Sequence, residues 1–108
     1  MEAERRRGER TPFAGWVELA LGPSRRLARS RDLSVRGLGL LLDPPHPPVG
    51  APVESEFALP GFALPLAVSA RVAWVDPVGG RLGLAFDGLD GGVAELLESA
   101  VAGRFERG

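Results

Sequence analysis

The chain contains 108 residues, of which 44% are hydrophobic, with 15 glycines, 10 prolines and no cysteine. This length is typical of one domain around one core, and the lack of cysteine excludes disulfides and thiolate metal sites and fits a reducing compartment. Abundant glycine and proline favour short strands and tight turns, and no long apolar stretch follows the charged N-terminus as a signal peptide or membrane span would require. We therefore expect a single cytoplasmic all-β domain that does not enter a membrane.

The charge is distributed unevenly along the chain. Residues 1–36 hold nine arginines against five acidic residues, residues 37–108 hold four against nine, and lysine is absent. A nucleic-acid-binding protein needs a continuous basic surface, whereas the acidic second part of this chain would repel a polyanion. The asymmetry favours a small anionic ligand bound by residues of the first third.

The N-terminal third predicts an arm followed by a hairpin. Residues 1–12 show no periodicity and end at a Thr-Pro pair, so we expect a flexible arm, with the folded domain spanning residues 13–108. Trp16–Leu21 is typical of a strand, and turn residues follow it directly. Arg26–Leu33 alternates polar and apolar residues, and the alternation changes parity near Asp32, which predicts a bulge or a turn there.

Three more strands are predicted in the middle of the chain. Leu38–Leu42 reads as a buried strand, and the proline-rich segment Asp43–Pro48 that follows must be an exposed loop, His46 included. Val53–Phe57 alternates, and Leu64–Val75 carries the clearest strand pattern. One face of Val53–Phe57 holds Val53, Ser55 and Phe57, and one face of Leu64–Val75 holds Leu66, Val68, Ala70, Val72 and Trp74.

The C-terminal part predicts a last strand and a helix. A turn at Pro77–Gly80 leads into Arg81–Phe86, and apolar residues then recur every three or four positions over about residues 90–105. These residues are Val93, Leu96, Leu97, Ala100, Val101 and Phe105. Six strands and one terminal helix result, with Trp16, Trp74 and the phenylalanines expected in the core or the barrel lid.

A run of arginines precedes the first strand, in the segment Arg5–Arg10. Guanidinium groups offer a planar fork to phosphate oxygens or to the acceptor edge of guanine, and their flat faces stack on bases. A solvated charged tail is the alternative interpretation. The run alone leaves both interpretations open.

The second candidate segment is Asp32-Leu33-Ser34-Val35-Arg36-Gly37, between two predicted strands. Its acid can accept from the donor edge of guanine, its hydroxyl can donate to phosphate, and its glycine permits a close approach or an unusual φ. An ordinary turn, in which these residues serve only the backbone, is the alternative.

Taken in this order, the two segments resemble the signature of the PilZ domain family, RRxxR followed by [D/N]xSxxG. The segment Arg6–Arg10 matches the first motif and Asp32–Gly37 matches the second. Ala70–Val75 and Leu82–Phe86 look like the family's late strands, so the resemblance covers nearly the whole chain. It implies a six-stranded antiparallel β-barrel with a C-terminal α-helix, which binds cyclic di-GMP at its surface while the arginine arm folds over the ligand.

The resemblance assigns ligand binding to six residues: Arg6, Arg7, Arg10, Asp32, Ser34 and Gly37. The arginines would contact guanine edges and phosphates, the acid and the hydroxyl would complete those contacts, and the glycine would leave room. Three neighbouring positions extend this set. Arg5 would stack on a second ligand molecule, and Arg36 would add a contact or remain solvated. Gly83 would border the ligand, although a strand glycine more often serves packing or a bulge.

The resemblance therefore implies a cyclic di-GMP receptor that passes the signal to an unidentified downstream protein by ordering its arm. We do not expect an enzyme, because His46 stands alone without a nucleophile motif, paired carboxylates or metal-ligand spacing. No cofactor, metal, nucleic acid or membrane is expected, and a homodimer is compatible with the sequence. The alternative is a PilZ-like adaptor for motility or chemosensory machinery that does not bind nucleotide, although such members typically lack both motifs.

Overall fold

The computed structural model describes residues 10–59 and 61–102. These residues form six strands and one helix: β1 (Thr11–Leu21), β2 (Ser24–Ser34), β3 (Gly37–Leu41), β4 (Pro52–Phe57), β5 (Leu66–Asp76), β6 (Arg81–Phe86) and α1 (Gly91–Val101). All strand pairs are antiparallel, and the sheet closes in the order β1-β2-β3-β6-β5-β4, with β4 returning to β1. The predicted six-stranded antiparallel barrel with a C-terminal helix is confirmed. Its first strand begins at Thr11, two residues before the expected start of the domain.

Alternation along the strands builds the core inside the barrel. Val53, Ser55 and Phe57 of β4 are buried as their pattern predicts, and the Ser55 hydroxyl donates to the carbonyl of Val68 at 2.8 Å. The buried apolar side chains come from all six strands and from α1. Because one face of every strand is buried, a slip of one residue would expose its apolar side chains, so the hydrophobic pattern determines the register.

Irregularities in register, one of them in β1 between Pro12 and Gly15, decide which side chains leave this alternation. The register of β2 against β3 shifts between Ser30 and Asp32, as the change of parity predicts, so Ser30 and Leu33 are both buried while Asp32 turns outward. The register of β5 against β6 shifts between Val72 and Trp74. An extra residue in one strand reverses the faces of those that follow it. Trp74 is therefore 43% exposed, and the prediction that it shares the buried face of β5 is wrong.

The other tryptophan also lies outside the core. Trp16 is 59% exposed on β1, with the guanidinium carbon of Arg29 5.1 Å from its ring centroid. Of the phenylalanines, Phe13 and Phe57 are buried with their rings edge to face at 6.1 Å, as expected of core aromatics. Successive side chains of a strand point to opposite faces. The apolar residues next to each tryptophan in sequence therefore point inward while the indole faces outward.

The proline-rich loop after β3 folds back onto one end of the barrel. Arg26 donates to the carbonyls of Asp43 (2.6 Å) and Pro45 (2.8 Å), and Nε2 of His46 lies 2.8 Å from the carbonyl oxygen of Leu42. His46 is consequently half-buried, so the expectation that it is exposed is wrong, although it does lie in the loop. The loop needs such side-chain bonds because its prolines lack the N–H groups that would join a ladder.

The hairpin between β5 and β6 is held at its tip by Asp76. The guanidinium of Arg81 donates to Asp76 at 2.9 Å, and the backbone N–H of Gly79 donates to it at 3.2 Å. The hydrogen bond from Arg81, followed by that from Gly79, holds the pKa of Asp76 below its usual value. These contacts keep β5 and β6 aligned up to the turn.

The helix begins where the sequence predicts it and ends earlier. The carboxylate of Asp90 caps α1 by accepting from the N–H of Val93 at 2.9 Å. The helix ends at Val101 rather than at residue 105, and Phe105 lies outside the described residues. Leu97 is fully buried. In the part of the chain that the structure describes, no helix is long and apolar enough to cross a bilayer.

Truncation of Leu97 tests how firmly α1 is attached. We expect Leu97→Ala to lower the free energy of unfolding by about 2–4 kcal/mol, because it removes a fully buried side chain and leaves a cavity. Glu98→Ala, an exposed neighbour, should change it by less than about 0.5 kcal/mol. Urea denaturation followed by circular dichroism measures both, and equal values for the two variants would contradict the packing described for α1.

Close packing of β3 on β6 requires glycine at position 37. A Cβ on Gly37 would overlap the carbonyl oxygen of Leu84. We expect Gly37→Ala to lower the free energy of unfolding by about 2–4 kcal/mol, because two backbones would have to separate. Gly91→Ala is the matched control, since a Cβ there meets nothing within 4 Å, and its unfolding curve should be unchanged or slightly more stable. A Gly37 variant as stable as this control would refute the close approach.

Candidate functional site

The turn between β2 and β3 is organised by Ser34. Its hydroxyl oxygen accepts the backbone N–H groups of Arg36 (3.1 Å) and Gly37 (3.2 Å), and the residue is 2% exposed. A serine that accepts from the backbone two and three residues later forms the ordinary hydroxyl-capped turn. Ser34 therefore shapes the motif from inside, and its contact with a phosphate stays a prediction.

The turn is attached to β6 as well as to β2. The backbone N–H of Phe86 donates to the carbonyl of Arg36 at 2.7 Å, and Gly37 pairs with Ala85 across the β3–β6 ladder. The side chain of Arg36 is exposed. Gly37 is buried against the backbone of Leu84, so the space that a side chain would need there is already filled by protein.

An ion pair joins the two predicted motifs. Nη1 of Arg10 donates to Oδ1 of Asp32 at 2.5 Å, although 22 residues separate them. The register of β1 on β2, in which Thr11 pairs with Leu33 and Pro12 with Asp32, brings the last arginine of the arm to this carboxylate. The side chains of Arg10 and Asp32 are 47% and 30% exposed, so solvent reaches the pair.

The carboxylate of Asp32 lies over a glycine of the adjacent strand. Asp32 pairs with Gly39 across the β2–β3 ladder, and a Cβ on Gly39 would stand 2.7 Å from Oδ1 of the aspartate. Any larger residue would displace the carboxylate. Gly39 thus permits Asp32 to lie flat on the outer surface of the barrel instead of extending into solvent.

A second glycine continues the same row and is covered by Trp74. Gly39 pairs with Gly83 across the β3–β6 ladder, and Gly83 pairs with Trp74 across the β6–β5 ladder. A Cβ on Gly83 would overlap the indole ring. Cβ positions on directly paired residues lie about 4.5–5.5 Å apart, so the row brings the Asp32 carboxylate and the indole of Trp74 toward one another over two glycines.

We call this row of Asp32, Gly39, Gly83 and Trp74, together with Arg10, the outer-face site. It presents a carboxylate, a guanidinium and a half-exposed aromatic ring on a surface without intervening side chains. A carboxylate can accept two donors from a base edge, a guanidinium binds phosphate or base acceptors, and an indole stacks on planar rings. The arrangement is suited to an anionic ligand that also carries aromatic rings.

The structure brings together some of the predicted site residues and separates others. Arg10 and Asp32 are in contact, and Gly83 lies in the same row, where it makes room for Trp74. Ser34 and Gly37 support the turn from buried positions. Arg5, Arg6 and Arg7 lie outside the described residues.

Sequence reasoning missed Gly39 and the role of Trp74. A signal for the glycines was present, because Leu38-Gly39-Leu40 and Leu82-Gly83-Leu84 each place a glycine between two buried leucines, and strand alternation turns both glycines outward. No comparable signal existed for Trp74, since the bulge that turns it outward depends on the pairing of β5 with β6.

Among the residues that the structure describes, no three histidine, cysteine or acidic side chains lie close enough to hold a metal ion.

Comparison with known proteins places these features in a family. The family model of the PilZ domain matches residues 4–103. Among solved structures, the PilZ domain of YcgR from Escherichia coli with c-di-GMP has a TM-score of 0.67 at 20% identity, covering 92% of this chain and 88% of that one. The PilZ domain of CeSA from a cellulose-synthesizing bacterium has a TM-score of 0.64 at 22% identity, covering 91% and 95%.

A longer neighbour extends the comparison. The inhibitor of motility MotI/DgrA from Bacillus subtilis has a TM-score of 0.74 at 18% identity, over 92% of this chain, which spans only 50% of the MotI chain. A search of curated proteins finds no match. At these identities the solved structures show the fold alone, whereas the family model spans both motifs and nearly every element. On that match, this chain belongs to the PilZ domain family.

Proposed function

We propose that this domain is a receptor for cyclic di-GMP. The observation that carries the proposal is the contact between Arg10 of the arginine motif and Asp32 of the Asp-x-Ser motif on the outer face of the barrel. The PilZ family assignment supports it, as does the fold shared with a PilZ domain whose structure contains c-di-GMP. PilZ domains are binding modules, and we assign no catalytic role to this chain.

Contacts to the ligand would replace the Arg10–Asp32 ion pair at the outer-face site. Because both side chains of the Arg10–Asp32 pair are partly exposed, their mutual attraction contributes only about 0–1 kcal/mol, and separating them costs little. The released carboxylate of Asp32 can accept the N–H donors of a guanine edge, and Arg10 can bind a phosphate or the guanine acceptors N7 and O6. Each group thereby exchanges one partner for a charge-assisted bond to the ligand.

Trp74 provides the aromatic contact. The residue is 43% exposed, and its ring lies over Gly83, in the same row as Asp32. Stacking of a base on an aromatic side chain contributes about 1–3 kcal/mol and tolerates any base, so the specificity for guanine must come from Asp32 and the arginines.

The remaining arginines would complete the site from the arm. Arg6 and Arg7 precede Arg10 by four and three residues, close enough to reach the same ligand, and Arg5, Arg36 and Gly83 complete the set assigned by the resemblance. Ordering an arm costs about 1–2 kcal/mol per residue, which charge-assisted bonds to two phosphates offset. The reshaped surface would then be read by a downstream protein.

A protein-docking adaptor that does not bind nucleotide is the second candidate function. The fold shared with a protein described as an inhibitor of motility favours it. In an adaptor, the Arg10–Asp32 pair would serve only to anchor the first strand. The two functions differ in one measurable property, namely whether the isolated domain binds cyclic di-GMP.

Isothermal titration calorimetry with cyclic di-GMP tests the proposal directly. We expect Asp32→Asn and Arg10→Ala to weaken binding by about 10- to 100-fold each, because each removes a charge-assisted hydrogen bond. An Arg6→Ala/Arg10→Ala variant should abolish the heat signal. GTP and cyclic GMP serve as control ligands that share guanine and phosphate but not the cyclic dinucleotide.

Arg25→Ala is the matched control variant. Arg25 is an exposed arginine that also pairs with an acidic residue, Glu18 at 3.4 Å, but it lies at the opposite end of β2 from Asp32. The affinity of this variant for cyclic di-GMP should equal that of the parent chain. Absence of heat from the parent chain, or equal losses for Arg25→Ala and Arg10→Ala, would overturn the receptor function and leave the adaptor.

Fluorescence separates the two tryptophans, which are the only ones in the chain. We expect cyclic di-GMP to quench or shift the emission of a Trp16→Phe variant, in which Trp74 is the sole emitter, because a stacked base covers its ring. A Trp74→Phe variant, whose sole emitter is Trp16 on β1, should show little change. The opposite result would place the ligand on the other side of the barrel.

A further inference from the structure

The strands β4, β1 and β2 form an outer surface on the side of the barrel that β1 occupies. We give the name β1 face to the part of this surface defined by seven exposed residues, namely Trp16, Glu18, Arg25, Leu27, Arg29, Glu54 and Glu56. Trp16 and Leu27 are each 59% exposed, although both are large and apolar. Tryptophan and arginine are the residues most enriched at the energetic centres of protein interfaces. Trp16 and Arg29 of the β1 face therefore belong to the residue types that favour a contact surface.

Charge on the β1 face is divided between its two sides. On the β4 side, Glu56 pairs with Glu18 and Glu54 pairs with Ala20 across the β1–β4 ladder. On the β2 side, Arg25 pairs with Ala20 and Arg29 with Trp16 across the β1–β2 ladder. An acidic strip and a basic strip thus lie on opposite sides of β1.

These charges are poorly balanced within one chain. Among the described residues, Glu54, Glu56 and Arg29 form no ion pair, and the pair of Arg25 with Glu18 is long, at 3.4 Å. Glu18 and Glu56 stand directly opposite on adjacent strands, where like charges are destabilising. Cations supplied from outside the chain would relieve this repulsion.

We propose that the β1 face is the interface of a homodimer in which two copies of this chain meet face to face. The two-fold axis lies in the interface and runs parallel to β1. Residues at the same height along β1 then face each other across the interface, and the β4 side of one copy lies against the β2 side of the other. The acidic strip of one copy then faces the basic strip of the other, twice over. Trp16 and Glu18 of each copy, both outward residues of β1, lie beside the axis.

The strand registers place acidic and basic residues at matching heights in this arrangement. Glu54 and Arg25 both lie at the height of Ala20, so Glu54 of one copy faces Arg25 of the other. Glu56 lies at the height of Leu27, between Arg25 and Arg29. A two-fold axis across the strands would instead set acid against acid. Closure of the barrel also removes free strand edges among the described strands, so association must use a side-chain face such as this one.

The proposed dimer leaves the outer-face site free. That site takes Asp32 near the end of β2 and Arg10 just before β1, and it runs across β3 and β6 to Trp74 on β5. The residues of the β1 face lie further along β1 and β2 and on β4. The inference does not rest on cyclic di-GMP binding. A convex barrel surface buries a small area, so we expect a weak dimer whose population depends on concentration.

Sedimentation equilibrium with a charge exchange tests the proposal. The mass of the parent chain should rise from 11.4 kDa toward twice that value between about 5 and 500 µM. Glu56→Arg and Arg29→Glu should each weaken self-association at least about tenfold, because each sets like charges against each other twice in the symmetric dimer. An equimolar mixture of the two variants should recover the parent association, since opposite charges then meet at both contacts.

The controls and contrary outcomes are specific to this face. Glu95→Arg, which reverses an exposed charge on α1, should associate like the parent, and Trp16→Ser should not associate. Circular dichroism confirms the fold of each variant, and recovery in the mixture is a second check because a misfolded chain would not recover. A parent chain that stays at 11.4 kDa, variants that associate like the parent, or a mixture that fails to recover would each overturn the proposal.

Discussion

Close approach of β3 to β6 is the constraint on which the candidate site depends. Gly37 lies against the carbonyl oxygen of Leu84, and two residues further along the ladder Gly39 pairs with Gly83. Because these positions carry no side chains, the side chains of Asp32 and Trp74 on the neighbouring strands can lie across the outer surface. The glycines of β3 and β6 thus leave the space in which the side chains of β2 and β5 lie, and those side chains provide the functional groups.

The charged groups of the site are held loosely, which suits recognition of a soluble ligand. The Arg10–Asp32 pair is accessible to water and weak by the standards of buried ion pairs. Beneath it, Ser34 is buried and bonded to two backbone N–H groups, which hold the turn that carries the motif. Exposed charges beside such a turn can change partners at little cost to the fold, which suits the receptor function proposed above.

The barrel carries two surfaces with different chemistry. The outer-face site combines Asp32, Arg10 and Trp74 over a glycine floor, whereas the β1 face combines Trp16 with separated acidic and basic strips. Each surface uses one of the two tryptophans, and both tryptophans are at outward strand positions. In the two proposals above, a small barrel whose described strands leave no free edge would bind a ligand on one side and a second copy of the chain on another.

The sequence by itself determined the six strands, the terminal helix and both motifs, because strand alternation, turn residues and short motifs are local signals. It also located the parity change at Asp32, a local break in period. Other features depend on tertiary contacts. Trp74 turns outward at a bulge, and Gly39 lies beneath Asp32. Ser34 is buried in the turn, and His46 bonds to the backbone of its own loop. These features depend on contacts between residues that are distant in the chain, and the hydrophobic pattern of the sequence does not specify which strands are neighbours.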